Sequence, residues 1–313
     1  RAVPYVPNRA NRRIVMTKIE RFFAHSLWYG FTGTPIFEEN RYEQKGDLPQ
    51  TTDELYGACL HSYTIKNAIH DEAVLGFMVE NLGPKKEDVD DAVFETEEHM
   101  RQVLDVVLNQ SYTKLGMQNG KGRTYEGILT VGSIAKAQRY YELLKRIKAG
   151  KDALKINEEI CKVVPDFPKF AITYSVSSDD DSESADLNVP KMQESLDDYN
   201  AMFGTKYGIG EIKGYNANLN DRLARKKSKY KSRDEQLDLV IVVNRLLTGF
   251  DAPCLSTVFM DRQPMHPHDI IQAFSRTNRL FDKPKTAGQI VTFQSPHKFK
   301  KAVDEALILY SAG

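Results

Sequence analysis

The sequence predicts an α/β protein built on a parallel sheet with helices on both faces. Short apolar runs of strand length recur from residue 127 onward, and stretches with helical periodicity separate them. The run LDLVIVV at residues 237–243 is apolar throughout instead of alternating, which is typical of a parallel strand buried on both faces. These observations favour one doubly wound domain over residues 116–295.

The chain before that domain is less regular. Val15, Ile19, Phe22 and Phe23 have helical spacing, and LWYGF at residues 27–31 predicts a short buried strand that the turn TGTP ends. The remaining predictions for this part are a loop at 36–57, mixed helix and strand at 61–80, a helix near 95–108 and a loop at 116–127.

Within the regular part, strands and helices alternate along the chain. The predicted strands are GILTV (127–131), FAITYSV (170–176), LDLVIVV (237–243), STVFM (256–260) and AGQIVTF (288–294). A first helix follows Ser133, a plausible N-cap, with apolar residues from Ala137 to Ile147. Further helices are predicted near 188–203, near 216–230 and at QAFSRTNR (272–279).

The composition is that of a soluble globular protein, with 41% apolar and 27% charged residues among 313. No apolar run approaches the roughly 18 residues of a membrane span, and no signal-peptide pattern is present. Cys59, Cys161 and Cys254 share no CxxC spacing, which indicates a reducing compartment without disulfides or zinc. We therefore expect a cytoplasmic protein with no membrane partner and no metal ligands of its own. The start at Arg1, without methionine, indicates a piece of a longer protein.

The net charge is zero, but two stretches are strongly charged. Seven Lys and Arg residues lie between Arg222 and Arg233, and they form either a solvated helix end or a patch that faces phosphates. The stretch SSDDDSESAD at 177–186 is acidic and serine-rich, and it predicts a mobile surface loop.

Unusual polar residues follow three of the predicted strands, where ligands gather in open α/β sheets. After LWYGF come Thr32, Gly33 and Thr34, and after LDLVIVV come Thr248, Gly249 and Asp251. After STVFM comes the helix with Gln272, Arg276 and Arg279, which fall within roughly 60° of one another on a helical wheel. Hydroxyls and glycines can contact phosphate, a carboxylate can accept from a ribose hydroxyl, and arginine binds phosphate with two donors. Ordinary turns and a solvated charged face are the alternatives.

The wording of these stretches resembles a known family. GFTGTP, TGFDAP and QAFSRTNR resemble motifs III, V and VI of superfamily 2 helicases. Together with LHSYTIKNAIHDEAVL (60–75), they resemble the motor (R) subunit of type I restriction endonucleases. In that family two RecA-like lobes clamp ATP and translocate duplex DNA, and a separate domain cuts it. Ser275 stands where the wider superfamily has glycine, which points toward the restriction family.

The resemblance implies a role for each matching residue. Arg276 and Arg279 match catalytic arginines that reach ATP from the second lobe, and Gln272, Gly249 and Asp251 match nucleotide-binding positions. The residues implied in DNA binding or coupling are Thr32, Gly33, Thr34, Ser133, Thr248, Arg225, Lys226 and Lys227. For Ser133, a simple helix cap is an equally good explanation.

The resemblance also implies partners and a division of the chain. ATP and Mg²⁺ are the expected cofactors, held mainly by a missing part of the first lobe, and duplex DNA with methyltransferase and specificity subunits are the expected partners. Residues 1–115 are assigned to the end of the first RecA-like lobe and the inter-lobe connection, 116–295 to the second lobe, and 296–313 to a following helical region. GMQNGKG (116–122) is not a Walker A loop, because its glycines are too close and Gly122 replaces the Ser or Thr that holds magnesium. The fragment alone is therefore expected to be inactive.

Two other functions stay open at this point. The stretch 222–233 could make the chain a non-catalytic nucleic-acid-binding module. Asp166, Glu211 and Lys213 have the order of a nuclease site, although the wide gap between them speaks against it.

Overall fold

The computed structural model describes residues 18–19, 21–84, 89–175 and 185–311. The chain divides into two compact units, Arg1–Tyr63 and Thr64–Ala312. This division after Tyr63 differs from the boundary at 115/116 expected from the sequence.

The first unit contains little regular structure in its described residues. Its helix α1 spans Thr52–Tyr56, and the Thr51 side chain caps it by accepting from the backbone N–H of Glu54. The predicted strand LWYGF is wrong: residues 27–31 form no strand, and Leu27, Trp28 and Phe31 are exposed. A strand needs a partner for its backbone groups, and residues 21–63 contain no other strand to supply one. Val15 of the predicted N-terminal helix lies outside the described residues.

The second unit is built on a six-stranded sheet whose neighbouring strands all run parallel, which confirms the predicted α/β class with a RecA-like parallel sheet. The spatial order is β1-β6-β5-β2-β4-β3. The strands are β1 (Gly76–Asn81), β2 (Glu126–Val131), β3 (Phe170–Thr173), β4 (Leu239–Val242), β5 (Leu255–Asp261) and β6 (Ala287–Thr292).

The helices of this unit lie before, between and after the strands. They are α2 (Ile65–His70), α3 (Glu97–Asn109), α4 (Ile134–Lys148), α5 (Glu158–Val163), α6 (Ala185–Phe203), α7 (Ile212–Ala224), α8 (Pro267–Phe274) and α9 (Pro296–Ser311). Every residue of β2, β4 and β5 is buried, as the continuous apolar runs predicted for strands covered on both faces. Most of the acidic stretch 177–186 lies outside the described residues.

Because the strands are parallel, they all begin at one edge of the sheet and all end at the other. We call these the amino edge and the carboxyl edge. Each connection that leaves a strand at the carboxyl edge must return to the amino edge before the next strand begins. The position of a residue within a connection therefore decides at which edge it lies.

Candidate functional site

The turn TGFDAP lies in the connection from β4 to β5. Gly249 has φ +66°, a left-handed conformation that glycine adopts without a steric penalty. Thr248 and Gly249 are exposed, whereas the Phe250 side chain is buried. Asp251 stands four residues before the first residue of β5, Leu255, and so the end of the turn lies at the amino edge.

The two predicted catalytic arginines lie beyond the end of α8, not on it. The helix ends at Phe274, and the Ser275 hydroxyl donates to the carbonyl of Ile271 at 2.7 Å. The Thr277 hydroxyl likewise donates to the Phe274 carbonyl at 2.9 Å. These hydroxyls bind carbonyls at the end of the helix, where the chain turns. The helical wheel had assumed that the helix continues to Arg279. The expected common helical face of Gln272, Arg276 and Arg279 is therefore corrected.

Both arginines nevertheless contact the TGFDAP turn. Arg276 donates from Nη1 to the Phe250 carbonyl and from Nε to the Gln272 carbonyl, the latter at 3.0 Å. Arg279 donates from Nε to Oδ1 of Asp251 at 3.2 Å. The chain after α8 and the turn before β5 thus form one cluster, which we call the amino-edge cluster: Phe250, Asp251, Arg276, Arg279, Lys226 and Lys285.

Asp251 is the anionic centre of the amino-edge cluster. Besides Arg279, it accepts from Nζ of Lys226 at 2.7 Å, and its side chain is half exposed. The hydrogen bond from Lys226 and the charges of Lys226 and Arg279 hold the pKa of this carboxyl below its usual value. Such exposed pairs add little stability, so the arrangement is one that a ligand can rearrange at low cost.

Lys285 anchors the cluster from inside, and the sequence reasoning missed it. Its ammonium group is buried and donates to the Pro253 carbonyl at 2.7 Å and to the Arg279 carbonyl at 2.8 Å. Burial lowers the pKa of Lys285 to about 8. Lys285 therefore fixes the backbone of Arg279 against the turn. Its only signal in the sequence is a lysine placed just before an apolar strand.

The position of the cluster corrects the expectation that the site lies at the carboxyl ends of the strands. Arg276 and Arg279 contact residues that precede β5, and Asn278 accepts from the backbone N–H of Leu75, just before β1, at 2.7 Å. The helix α8 has carried the chain back from the carboxyl edge. All these contacts therefore lie at the amino edge.

The basic stretch 222–233 is not an open phosphate-facing patch. Arg225, predicted to bind DNA, is only 8% exposed, and it donates to Glu126 Oε1 at 2.9 Å and to the carbonyls of Thr124 and Leu237. The structure thus gives Arg225 a buried structural role, because all three nitrogens of its guanidinium are bound. The remaining cations with a carboxylate within 4 Å are Arg222 (Glu235), Lys226 (Asp251), Lys227 (Asp221), Lys229 (Glu235) and Arg233 (Asp238).

The nuclease-like residues are engaged elsewhere. Asp166 accepts from Nε of Arg233 at 2.9 Å, and Glu211 accepts from the backbone N–H of Gly208 at 2.9 Å. Within the part of the chain that the structure describes, no group of three or more His, Cys, Asp or Glu residues could hold a metal ion. These contacts do not support the nuclease reading.

Four further predicted DNA contacts are Ser133, at the carboxyl edge of the second unit, and Thr32, Gly33 and Thr34, in the first unit. Ser133 is exposed after β2 at the carboxyl edge and caps α4, because its hydroxyl accepts from the backbone N–H of Lys136 at 3.2 Å. Thr32, Gly33 and Thr34 belong to the first unit, where the Thr34 N–H donates to the Thr32 hydroxyl at 3.2 Å.

A buried network centred on Asp261 occupies the carboxyl end of β5. Its carboxylate accepts from His99 Nε2 at 2.7 Å, Tyr140 at 2.6 Å and Gln294 at 2.8 Å, and Lys136 Nζ lies 2.9 Å away. These contacts hold the pKa of Asp261 at about 2, although burial alone would raise it. The network joins α3, α4, β5 and the end of β6, and the sequence reasoning missed it.

The amino-edge cluster fits an anionic ligand. Arg276 and Arg279 repel each other enough to lower the pKa of Arg276, in addition to the larger effect of burial. Arg276 is half-buried, and its Nη2 has no hydrogen-bond acceptor among the described residues. A phosphate group would relieve the repulsion and accept from these donors.

Comparison with known proteins identifies the family. A family model for domain 3 of the type I restriction enzyme subunit R matches residues 123–295, more than half of the chain. The chain belongs to the type I restriction enzyme R subunit family. A second model, for the SWI2/SNF2 ATPase, matches residues 8–110 of this R subunit chain.

Individual relatives agree with this assignment. An endonuclease subunit of a type I restriction enzyme from Staphylococcus aureus (strain MRSA252) is 34% identical over 309 residues, which cover 94% of this chain and 30% of the relative. A corresponding subunit from Staphylococcus saprophyticus is 31% identical over 305 residues, again 94% of this chain and 30% of the relative. The R subunit chain thus spans about a third of the length of these relatives.

A solved structure is similar in fold. The fragment structure of a protein assigned as an HsdR subunit from Vibrio vulnificus YJ016 covers 93% of this chain and 44% of that one, with a TM-score of 0.52 and 13% identity. In the R subunit chain, no described helix has the length and apolar character that a membrane crossing requires.

Proposed function

We propose that this chain is part of the ATP-dependent, DNA-translocating subunit of a type I restriction enzyme, and that Arg276 and Arg279 act on the phosphates of ATP. One observation carries the proposal: both arginines contact the TGFDAP turn, through the Phe250 carbonyl and the Asp251 carboxylate. The two stretches that resemble helicase motifs V and VI thereby form one cluster with the buried Lys285.

The cluster is suited to phosphoryl transfer. ATP, when bound, supplies the phosphoanhydride bond, and negative charge spreads over the oxygens of its transferred group. The guanidinium groups of Arg276 and Arg279 stabilise that charge, while Lys285 keeps the backbone of Arg279 in place. Gln272, through its carbonyl, positions the Nε of Arg276. Asp251 releases Arg279 when a phosphate replaces it as the acceptor, and Thr248 and Gly249 present an exposed backbone beside it.

The wider assignment comes from the family. We propose that the complete protein acts in the cytoplasm on duplex DNA together with methyltransferase and specificity subunits. Residues 1–115 are proposed as the end of the first lobe and the inter-lobe connection, 116–295 as the second lobe and 296–313 as the start of a helical region, with β1 of the first segment added to the sheet of the second lobe. Thr32, Gly33, Thr34, Ser133 and Thr248 are proposed DNA or coupling contacts. Mg²⁺ is proposed as the cofactor of ATP, with none of these residues assigned to it, and this segment alone is proposed to be inactive, since it has no GxxxxGK[ST] loop.

The experiment is DNA-stimulated ATP hydrolysis by the full-length protein with Arg276→Ala or Arg279→Ala. An arginine of this kind typically contributes about 10³–10⁵ in rate, so each substitution should abolish measurable turnover and leave the unfolding midpoint nearly unchanged. Arg139→Ala is the matched control, because Arg139 is exposed and its nearest carboxylate, Glu95, is 3.9 Å away. Turnover close to normal in both variants would refute the proposal.

The alternative of a nucleic-acid-binding module that uses residues 222–233 gains no support. Six of its seven cations have a carboxylate within 4 Å: Arg222, Arg225, Lys226, Lys227, Lys229 and Arg233. A stretch neutralised in this way attracts phosphates weakly.

A further inference from the structure

Two arginines at the carboxyl edge have no carboxylate within 4 Å among the described residues, unlike most buried or half-buried arginines of the second unit. The buried or half-buried arginines with a carboxylate within 4 Å are Arg101, Arg222, Arg225, Arg233 and Arg279. Arg245, Arg262 and Arg276 are half-buried and have none among the described residues. Arg276 belongs to the amino-edge cluster, which leaves Arg245 and Arg262 unexplained. We call these two the carboxyl-edge pair.

The carboxyl-edge pair is anchored at the ends of adjacent strands. Arg262 directly follows β5, and its Nη1 donates to the Val243 carbonyl at 2.9 Å and to Asn244 Oδ1 at 2.8 Å. Arg245 follows Asn244, and its Nη1 donates to the Thr173 hydroxyl, at the end of β3, at 3.1 Å. Both side chains are therefore held by neutral oxygens, that of Arg262 at the end of β4 and that of Arg245 at the end of β3.

Most of the donors of the pair are unused. A guanidinium has five N–H donors, and in each member only Nη1 makes a hydrogen bond to a described residue. The Nε of Arg262 is buried and has no acceptor within the described part of the chain. Arg225 and Arg233 differ, because Nε, Nη1 and Nη2 are all bonded in both. An arginine with a structural role typically has all its guanidinium nitrogens hydrogen-bonded, and neither member of the pair does.

The charge of the pair is also poorly compensated. Burial lowers the pKa of Arg245 and of Arg262, and the carboxylate of Asp269 opposes this for Arg262 without reaching ion-pair distance. Two half-buried cations held by neutral oxygens attract an anion, and a fork of unused N–H groups matches phosphate oxygens.

The position of the pair indicates which phosphate it binds. Arg276 and Arg279 lie at the opposite edge of the same sheet, so one ATP polyphosphate would not be expected to serve both places. The exposed Ser133 lies at the carboxyl edge with the pair. We propose that Arg245 and Arg262 bind backbone phosphates of a polynucleotide along the carboxyl edge. This rests on the proposed function and assigns it a DNA-contact surface separate from the amino-edge cluster.

The test is the salt dependence of duplex binding by the full-length protein without ATP. The dissociation constant of one fixed duplex is measured over a series of KCl concentrations for Arg245→Gln, Arg262→Gln and the control Arg139→Gln. Each lost phosphate contact reduces the slope of log K against log salt by about one, so both pair variants should show that reduction and the control should not. An unchanged slope in the two folded pair variants overturns the proposal.

A second variant separates binding from folding. Arg262 also holds the end of β4, so Arg262→Gln could lower the unfolding midpoint. Arg262→Lys keeps the charge, and the proposal predicts that its slope stays at the value of the unmodified protein. A loss of slope in Arg262→Lys equal to that in Arg262→Gln overturns the proposal.

Different results would overturn this proposal and the proposed function on which it rests. Weakened ATP binding in the pair variants, with normal slopes for DNA, would overturn the DNA assignment and leave Arg276 and Arg279 untouched. Normal ATP hydrolysis in Arg276→Ala and Arg279→Ala, with reduced slopes in the pair variants, would overturn only the proposed ATPase role.

Discussion

At the scale of single residues, the surroundings of each arginine decide whether it has a structural role or is available to a ligand. Arg225 has a left-handed backbone conformation just after α7 and turns into the core, where its guanidinium meets Glu126. Burial raises the pKa of Glu126, and Arg225 opposes this rise. Arg276 and Arg279 instead are half-buried, and each has guanidinium nitrogens without an acceptor among the described residues. Residue type and local charge did not distinguish these cases, because Glu126 is 99 positions away from Arg225.

Arg225→Ala should therefore destabilise the fold more than it changes DNA binding. Removing one partner of a buried ion pair typically costs about 3–5 kcal/mol, since the other is left buried without compensation. The measurement is the free energy of unfolding in urea. Lys227→Ala removes an exposed cation from the same stretch and should change stability little. Equal stability of the two variants would contradict the structural role of Arg225.

At the scale of elements, side-chain hydroxyls form hydrogen bonds at helix ends on both edges of the sheet. Ser133 begins α4 at the carboxyl edge, and Ser275 and Thr277 lie at the end of α8, on either side of Arg276. The sequence predicted the cap at Ser133 from residue type alone, and the structure confirms it. The end of α8 was missed, because a helical wheel assumes a helix through Arg279 and takes no account of hydroxyls that bind the last carbonyls.

Substitutions at Ser133 separate its cap from its proposed contact with DNA. Ser133→Ala should lower the free energy of unfolding by about 1 kcal/mol, and Ser133→Asp should not, because aspartate is also a good N-cap. If Ser133 contacts phosphate, Ser133→Asp should weaken duplex binding despite its stable fold, since its charge repels phosphate. Instability of Ser133→Asp equal to that of Ser133→Ala would contradict the cap.

The Asp261 network should give the second unit a distinct acid sensitivity. The folded pKa of about 2 lies below the ordinary value of 3.8, so the charged carboxylate contributes stability above pH 4 that is lost as pH falls toward 2. The shift corresponds to about 2 kcal/mol. In urea unfolding at pH 5 and pH 3, Asp261→Asn should show a smaller loss between the two values than the unmodified protein.

Asp304→Asn, on the exposed side of α9, is the control for that measurement. It should keep the pH dependence of the unmodified protein. If Asp261→Asn also keeps it, the carboxylate is not the source of the acid sensitivity.

At the scale of the whole molecule, the sheet could be predicted from the sequence, but the placement of candidate ligand sites at both of its edges could not. The strands β2, β4 and β5 are buried along their whole length and each contains a short apolar run, and the sequence located all three. The run LWYGF looked equally apolar, but its side chains are exposed and no described strand pairs with it. An apolar run in the sequence is buried in the structure only where neighbouring elements cover it.

The sequence predicted which residues form the candidate site but not the edge of the sheet at which they lie. Arg276, Arg279 and Asp251 do meet, but at the amino edge, since α8 returns the chain before the arginines occur. Lys285 gave no periodic signal, because its role depends on two carbonyl oxygens that converge only in the folded chain. The same topology leaves Arg245 and Arg262 at the opposite edge, available to a second ligand.

The most direct test of the central claim is the single-turnover rate of ATP hydrolysis by the full-length protein, saturated with duplex DNA, with Arg276→Lys and with Arg279→Lys. Lysine keeps the positive charge but lacks the planar fork, so ATP should still bind while the hydrolysis step slows at least tenfold in each variant. Single-turnover rates equal to that of the unmodified protein in both variants would show that these guanidinium groups do not act on the transferred phosphate.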